Sequence, residues 1–553
     1  MCCPFNSPLN SFLFKIVMMK KILFAALAFA VVLPAAAQDT YESARLLGGD
    51  LNGTARYVGM GGAMEALGAD ISTTGTNPAG IGLFRHDFVS AGFGLVSQAD
   101  ANEFDGRSTT NMSFDQVGFV YTMRQDRSSY INLAFNYHKS RNFNQILSVA
   151  DHALKEASLN ILSSEKDWQG YYSLGMSNDG YLIGYQSPIS SQQALNFSQF
   201  DYLNANVLAD EDDPNYYVLH GMAADAYNFD RASRGWINTF DFNLSGNAND
   251  CFYWGFSVGF SNVNYKGYSE YTEGLHFSNG NDGGIVSYGD TRTIKGSGVD
   301  IKAGVIFRPV EYSPFRLGLY VSTPTWYDLT SENTTALINQ SALGNNLDGT
   351  YVESGDIKNS YDFKYYTPWK FGISLGHTIG QNLALGATYE YSDYGASQNR
   401  VKDGYDAYGD EDSYVDRPMK DNTELSLKGV STLKVGIEYK PVPAVALRAG
   451  YNYVSPAYNK NGVRDMTIDS YGVKYASTAD YVNWGSTNRI TCGLGCKIGS
   501  MNLDLAYHYS ATDGDFYPMQ PDIFRASDIP GTVTPASVNN KRHQVLFTLG
   551  YSF

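Results

Sequence analysis

The stretch His543-Gln544-Val545-Leu546-Phe547-Thr548-Leu549-Gly550-Tyr551-Ser552-Phe553 closes the chain. Side chains of an extended strand point alternately to opposite faces. One face then carries His543, Val545, Phe547, Leu549, Tyr551 and Phe553, and the other Gln544, Leu546, Thr548, Gly550 and Ser552. An alternating last strand with Tyr551 and a final Phe553 has the form of the assembly signal read by the outer-membrane barrel assembly machinery.

Working back from that strand, the same alternation recurs in pairs joined by tight turns. Trp369, Phe371, Ile373, Leu375, His377 and Ile379 share one face of a strand. Gly380-Gln381-Asn382 turns, and Leu383, Leu385, Ala387, Tyr389 and Tyr391 share one face of the next. Similar pairs are read at 113–123 with 130–139, 236–246 with 252–262, 299–308 with 315–322, 433–440 with 444–453, and 489–498 with 501–509. A lone strand near 87–96 and the terminal one near 542–553 bring the total to about fourteen, an even number as in bacterial barrels. From the first strand on, every second connection is short. The others are long, at 97–112, 140–234, 263–298, 330–360, 396–430, 457–485 and 512–540. Short turns on the periplasmic side and long loops outside are the pattern of an outer-membrane barrel. The fold class expected is thus all-β, a transmembrane antiparallel barrel over 87–553. The 140–234 loop is long enough to form a folded cap, with a helix expected at Leu154–Leu162.

Composition agrees. The chain holds 42 Tyr and its mean hydropathy is below zero, yet no stretch after residue 37 could form a transmembrane helix. Aromatic girdles with alternating lipid-facing and lumen-facing residues account for both. A net charge of -16 argues against nucleic-acid partners. The acidic runs Asp210-Glu211-Asp212-Asp213 and Asp410-Glu411-Asp412 fit no EF-hand loop and read as solvated loops rather than calcium sites. No metal or other cofactor is expected.

At the other end, Lys20-Lys21, the apolar run Ile22–Pro34 and Ala35-Ala36-Ala37 form a signal peptide with cleavage expected before Gln38. Residues 1–17 precede it, and Met18 or Met19 makes a better start. Cys251, Cys492 and Cys496 remain after the leader. The last two lie about 13 Å apart along one strand face, too far for a disulfide, and read as lipid-facing hydrophobes. Charge on the inward faces (Asp300, Lys302, Arg308, Arg316, Lys434, Glu438, Arg448 and Asp504) is expected to form ion pairs bracing the wall. A Lys or Arg facing lipid at mid-depth would cost roughly 2–4 kcal/mol.

Residues 38–86 do not alternate and are rich in Gly and Ala. A fourteen-stranded barrel is wider than side chains alone can fill, so this segment is expected to plug it from the periplasmic side. Its motifs Ala55-Arg56-Tyr57-Val58-Gly59-Met60-Gly61-Gly62-Ala63, Ala66-Leu67-Gly68-Ala69-Asp70 and Asn77-Pro78-Ala79-Gly80 resemble the hatch of the FadL/TodX family. Pro368–Gly372, Gly436–Pro441 and Leu447–Tyr451 resemble later strands of that family. The resemblance implies a monomeric fourteen-stranded barrel in outer-membrane lipid and lipopolysaccharide, passively passing hydrophobic small molecules such as long-chain fatty acids or aromatic hydrocarbons. It places Asn77, Pro78, Ala79 and Gly80 in the gate. Relatives also carry a hemin-receptor label. The family's third strand is kinked and opens the wall sideways. Here Tyr130–Lys139 has neither Gly nor Pro, so the sequence gives no reason to expect such an opening.

Two G-x-S-x-G matches, around Ser257 and Ser374, sit mid-strand rather than on a strand-to-helix elbow, and no enzyme is expected. Two further readings remain beside the channel: a surface-binding protein acting through its long loops, and a hemin-binding receptor.

Overall fold

The computed structural model describes residues 38–176, 182–186, 192–213, 216–219, 221–310, 312–344, 352–353, 357–405, 411–521 and 533–553. The expected leader at 1–37, His220 and Asp410 lie outside the described residues, as do the side chains of 210–213.

Fourteen strands form the wall: β1 (Phe88–Ala99), β2 (Thr110–Arg124), β3 (Tyr130–Asn142), β4 (Ala224–Ala248), β5 (Phe252–His276), β6 (Asp282–Phe307), β7 (Arg316–Ser322), β8 (Lys370–Ile379), β9 (Leu383–Asp393), β10 (Gly429–Val442), β11 (Val445–Val454), β12 (Tyr481–Ile498), β13 (Met501–Tyr517) and β14 (Ala536–Ser552). Each pairs antiparallel with the next, and β14 pairs with β1, so the sheet closes on itself. The short connections gather at one rim. Asn249 and Asp250 turn β4 into β5 with both residues in the left-handed region, and Gly499 at φ +61° turns β12 into β13.

The terminal strand shows how the wall is built. Val545, Phe547, Leu549, Tyr551 and Phe553 are exposed on the outside, while Gln544, Leu546 and Thr548 are buried inside. Outward Phe119, Phe242, Phe256, Phe260, Phe371 and Leu494 continue this apolar belt around the barrel. Water would leave so large a patch unfavourably solvated; hydrocarbon matches it. Cys492 faces out within the belt, and Cys251, Cys492 and Cys496 are all free thiols.

Several expected bounds change. The segment 263–298 is not a loop, because β5 and β6 run on as paired strands to His276 and Asp282. About ten tilted residues cross a bilayer, so strands of 25 and 26 residues rise well above it. Likewise, much of 330–360 is strand: Trp326–Ser341 pairs with the upper part of β6 and with Ile357–Tyr366. The cap helix begins at Leu159, not Leu154, because Ser158 accepts from the Ile161 amide at 3.1 Å and caps it.

The third strand carries an irregularity without Gly or Pro. Pairing of β2 with β3 ends at Gln116↔His138, whereas Thr110–Phe114 pair with β1 alone. Asp115 is the extra residue on β2, and the register of β3 against β4 shifts across Ser140. Beyond it the chain continues as Gln145–Ala153, paired with the upper part of β4. Two contacts bridge this seam: Lys139 Nζ to Ser113 Oγ at 2.6 Å, and the stacked rings of Phe114 and Tyr137. Two local β-bulges can interrupt a wall as well as a glycine kink does.

Candidate functional site: the plugged lumen

Residues 38–86 fill the barrel with short helices, Thr40–Ala44 and Ala55–Gly59, and two 3-10 turns, Ile71–Gly75 and Pro78–Leu83. Segments this short have little stability of their own. Polar side chains fix their ends: Asp39 caps the first, Thr54 the second, Asp70 the third and Asn77 the fourth.

The plug meets the wall backbone to backbone. A Cβ on Gly386 would lie 1.9 Å from the Ala63 carbonyl oxygen, and one on Gly436 would lie 2.2 Å from that of Met60. On Gly450 it would meet the Gly61 nitrogen at 2.3 Å, and on Gly255 the Pro78 carbonyl carbon at 2.4 Å. Gly376, Gly386, Gly436 and Gly450 are direct cross-strand partners on β8, β9, β10 and β11, so they form one belt. Gly255 pairs with Gly304 in the same way across β5 and β6. The belt explains the two G-x-S-x-G matches: Gly255 and Gly376 make room for the plug. Ser257 is buried mid-strand beside Asn243, and Ser374 is buried mid-strand opposite Thr388.

Side chains then pin the plug. Glu65, wholly buried, accepts from Lys434 Nζ at 2.8 Å, Thr388 Oγ1 at 2.7 Å and Tyr57 OH at 3.0 Å. Lys434 also contacts Glu390 at 2.8 Å. Arg56 meets Glu438 at 3.0 Å, and Arg448 links Glu438 at 2.7 Å to Asp504 at 2.6 Å. Lys302 joins Asp241 at 3.0 Å and also Asp300, with His138 on the far side of Asp241. Asp300, Lys302, Lys434, Glu438, Arg448 and Asp504 therefore form ion pairs as expected, but several brace the plug as much as the wall. Arg316 donates to the Leu67 carbonyl at 2.8 Å. Arg308 differs, lying in the turn after β6 and donating to the Ser313 carbonyl at 2.7 Å.

The four motif residues Asn77, Pro78, Ala79 and Gly80 are brought together against β4–β7. Asn77 Oδ1 accepts from the Ala79 amide at 3.2 Å, and its Nδ2 donates to the Glu65 carbonyl at 3.1 Å. Pro78 occupies the first helical position, where its missing N–H costs nothing. All four are buried.

Two cavities flank the plug. The larger, about 480 Å³, lies among Leu47, Asp50, Arg141, Tyr394, Arg489 and Arg542 and reaches the seam at His138 and Ser140. The smaller, about 260 Å³, lies towards the short-turn rim among Phe88, Lys440, Pro443 and Ser552. Tyr57 and Ser72 face the larger; Thr54, Arg56 and Asp70 face the smaller. Neighbouring residues of the plug thus line opposite sides of one partition. Thr54 Oγ1 donates to the Asp70 carboxylate at 2.8 Å, and Ser72 Oγ accepts from the Thr54 amide at 2.9 Å. Sequence reasoning missed Thr54, Glu65 and the glycine belt, and placed Asp70 in the hatch motif without its bond to Thr54. The one available signal was inward glycines at matching heights on neighbouring strands.

No family model matches the chain, and no curated protein matches it. Among solved structures it is similar to a Pseudomonas aeruginosa FadL homologue, at 12% identity over 92% of this chain and 99% of that one, with a TM-score of 0.48. It is also similar to the Ralstonia pickettii toluene transporter TbuX, at 12% identity over 91% and 99%, TM-score 0.46. A third is the P. putida toluene transporter TodX, at 12% over 91% and 99%, TM-score 0.44.

Proposed function

We propose that this protein is an outer-membrane channel for passive uptake of hydrophobic small molecules, with its short-turn rim in the periplasm. The observation that carries the reading is the partition of Thr54–Tyr57 and Asp70–Ser72 between two cavities of one closed barrel. A ligand in the upper cavity has two ways on: past the partition, or sideways through the β2–β3 seam. In this reading Asn77, Pro78, Ala79 and Gly80 anchor the plug, and the Thr54–Asp70 bond is the part that gives way. The fatty-acid or aromatic-hydrocarbon class comes from the family resemblance of the motifs. Tyr551 and Phe553 are proposed as the contact for the assembly machinery.

Uptake of labelled fatty acids and aromatic compounds into proteoliposomes tests this. Thr54→Val keeps the shape and removes the hydroxyl donor to a carboxylate, a bond of about 1.5–3 kcal/mol. Saturable uptake by the wild type, raised in Thr54→Val and lowered in Pro78→Ala with both variants folded, is expected. A folded wild type that takes up none of the panel would end the channel reading in favour of surface binding by the cap.

A further inference from the structure

The upper cavity carries an imbalance of charge that a hydrophobic permeant does not use. Arg231, Lys302 and Lys434 on its lining each contact a carboxylate, at 2.5 Å to Asp480, 3.0 Å to Asp241 and 2.8 Å to Glu390. Arg141, Arg489 and Arg542 are different. They come from β3, β12 and β14 and converge on the plug turn Gly48-Gly49-Asp50. Arg489 donates to Asn452 Oδ1 at 3.1 Å and the Gly49 carbonyl at 3.4 Å; Arg141 donates to the Leu47 carbonyl; Arg542 donates to the Asn142 carbonyl at 3.3 Å. Among the described residues, the one carboxylate in contact with the three is Asp50, 3.7 Å from Arg542. Nearby Lys139 donates to Ser113 Oγ at 2.6 Å, and Ser113 donates in turn to Asp115 at 2.7 Å, which Asn52 also holds at 2.9 Å. Three guanidiniums against one carboxylate leave a surplus of two positive charges.

The surplus is held in a confined space, where field lines from low-dielectric walls focus and an anion gains most. Guanidiniums in carbonyl contacts keep free N–H groups for carboxylate or phosphate oxygens. Next to them the lining turns aromatic, with Phe143, Tyr265, Tyr394, Tyr458 and Trp484. We propose that the Arg141–Arg489–Arg542 cluster binds the doubly charged end of an aromatic or amphipathic organic anion, either a dicarboxylate or a phosphate monoester. Asp50 occupies part of the site as an internal anion and offsets one charge. The inference relies on the channel reading for how a ligand arrives, and on the arginines alone for its charge.

Calorimetric titration of the full chain in detergent tests it with four probes of similar size: phthalate, phenyl phosphate, benzoate and benzyl alcohol. At least one dianion is expected to bind about tenfold or more tightly than benzoate, with the preference shrinking as salt rises. The tighter of phthalate and phenyl phosphate identifies the source of the charge. Arg489→Gln with Arg542→Gln should abolish the preference. Asp50→Asn should strengthen dianion binding, a gain that misfolding cannot produce; Asn can still accept from the Asn142 amide that Asp50 now binds at 2.8 Å. Benzoate binding as tightly as both dianions, no binding of any probe, or an Asp50→Asn variant with unchanged affinity would overturn the inference. Continued uptake of neutral compounds in the same preparations would leave the channel reading standing.

Discussion

The lower and upper halves of β5 share one backbone alternation and opposite chemistry. Below, Phe256, Val258 and Phe260 point out and Ser257, Gly259 and Ser261 point in. Above, Val263, Tyr265, Tyr271 and Leu275 point in, and Asn262, Asn264, Lys266 and Glu270 point out. The register does not slip between them; the pairing with β4 is continuous from Phe252 to Gly274. What reverses is the solvent outside, from hydrocarbon to water, so the apolar face moves from the outer wall to the inner one. Strands β4 and β6 turn over in the same way, with Tyr227 and Phe229 inside on one and Val286, Tyr288 and Ile294 inside on the other. The lower lumen is therefore held by ion pairs, backbone contacts and small apolar clusters of the plug, and the upper by a larger hydrophobic core that the cap helices Leu159–Trp168 and Gln199–Leu208 complete around a few buried ion pairs.

Matched buried ion pairs offer the strongest test of that division. Lys434→Met leaves Glu65 and Glu390 without their cation at the plug; Lys166→Met leaves Asp201 without its cation in the cap, where both partners are wholly inaccessible. Removing one partner of a buried pair costs about 3–5 kcal/mol. Lys434→Met is expected to raise open-channel conductance in planar bilayers and leave the cap resistant to protease. Lys166→Met should expose the cap to protease and leave conductance as in the wild type. Equal responses from both variants would mean that plug and cap unfold together.

A smaller effect sharpens the role of the glycine belt. Gly386→Val forces atoms into the Ala63 carbonyl, and backbone cannot swing aside as a side chain can. An overpacking cost of about 1–3 kcal/mol raises the released-plug population by about five- to 150-fold. Gly274→Val on the upper part of β5 has nothing within 4 Å of its added Cβ and should be silent in the same conductance measurement.

The legibility of the chain follows the same division. Where lipid lies outside, apolar residues fall on every second position, and pairs such as 370–379 with 383–393 could be read almost to the residue. Above the membrane the apolar face points inward and consists largely of tyrosine, while the outer face is polar. The outward alternation that marks the lower strands is therefore missing, and 263–298 reads as loop. The plug could be placed from its Gly-rich, non-alternating composition. Its working contacts could not, because Glu65 with Lys434, and Thr54 with Asp70, depend on which wall strand each part of the plug meets. The seam at Asp115 and Ser140 was hidden for another reason: a bulge needs one extra residue of any type, not a glycine or proline.

The mildest prediction concerns pH and belongs to the cap alone. Burial pushes the Asp167 carboxyl up to about 6, with Asp201 adding to the shift and the Leu174 amide opposing it. A carboxyl raised in the folded state binds more protons there than in the unfolded chain across the window from its ordinary value to about 6. Stability from this group is then fully present below the ordinary carboxylate range and is lost as pH rises through about 6. Limited proteolysis of the cap should accordingly quicken between about pH 4 and 6. Asp167→Asn, neutral throughout, should flatten that profile while the channel conductance of both proteins stays the same. A cap whose protease sensitivity follows the conductance at every pH would show that the upper core and the plug are one cooperative unit, contrary to the division drawn from β5.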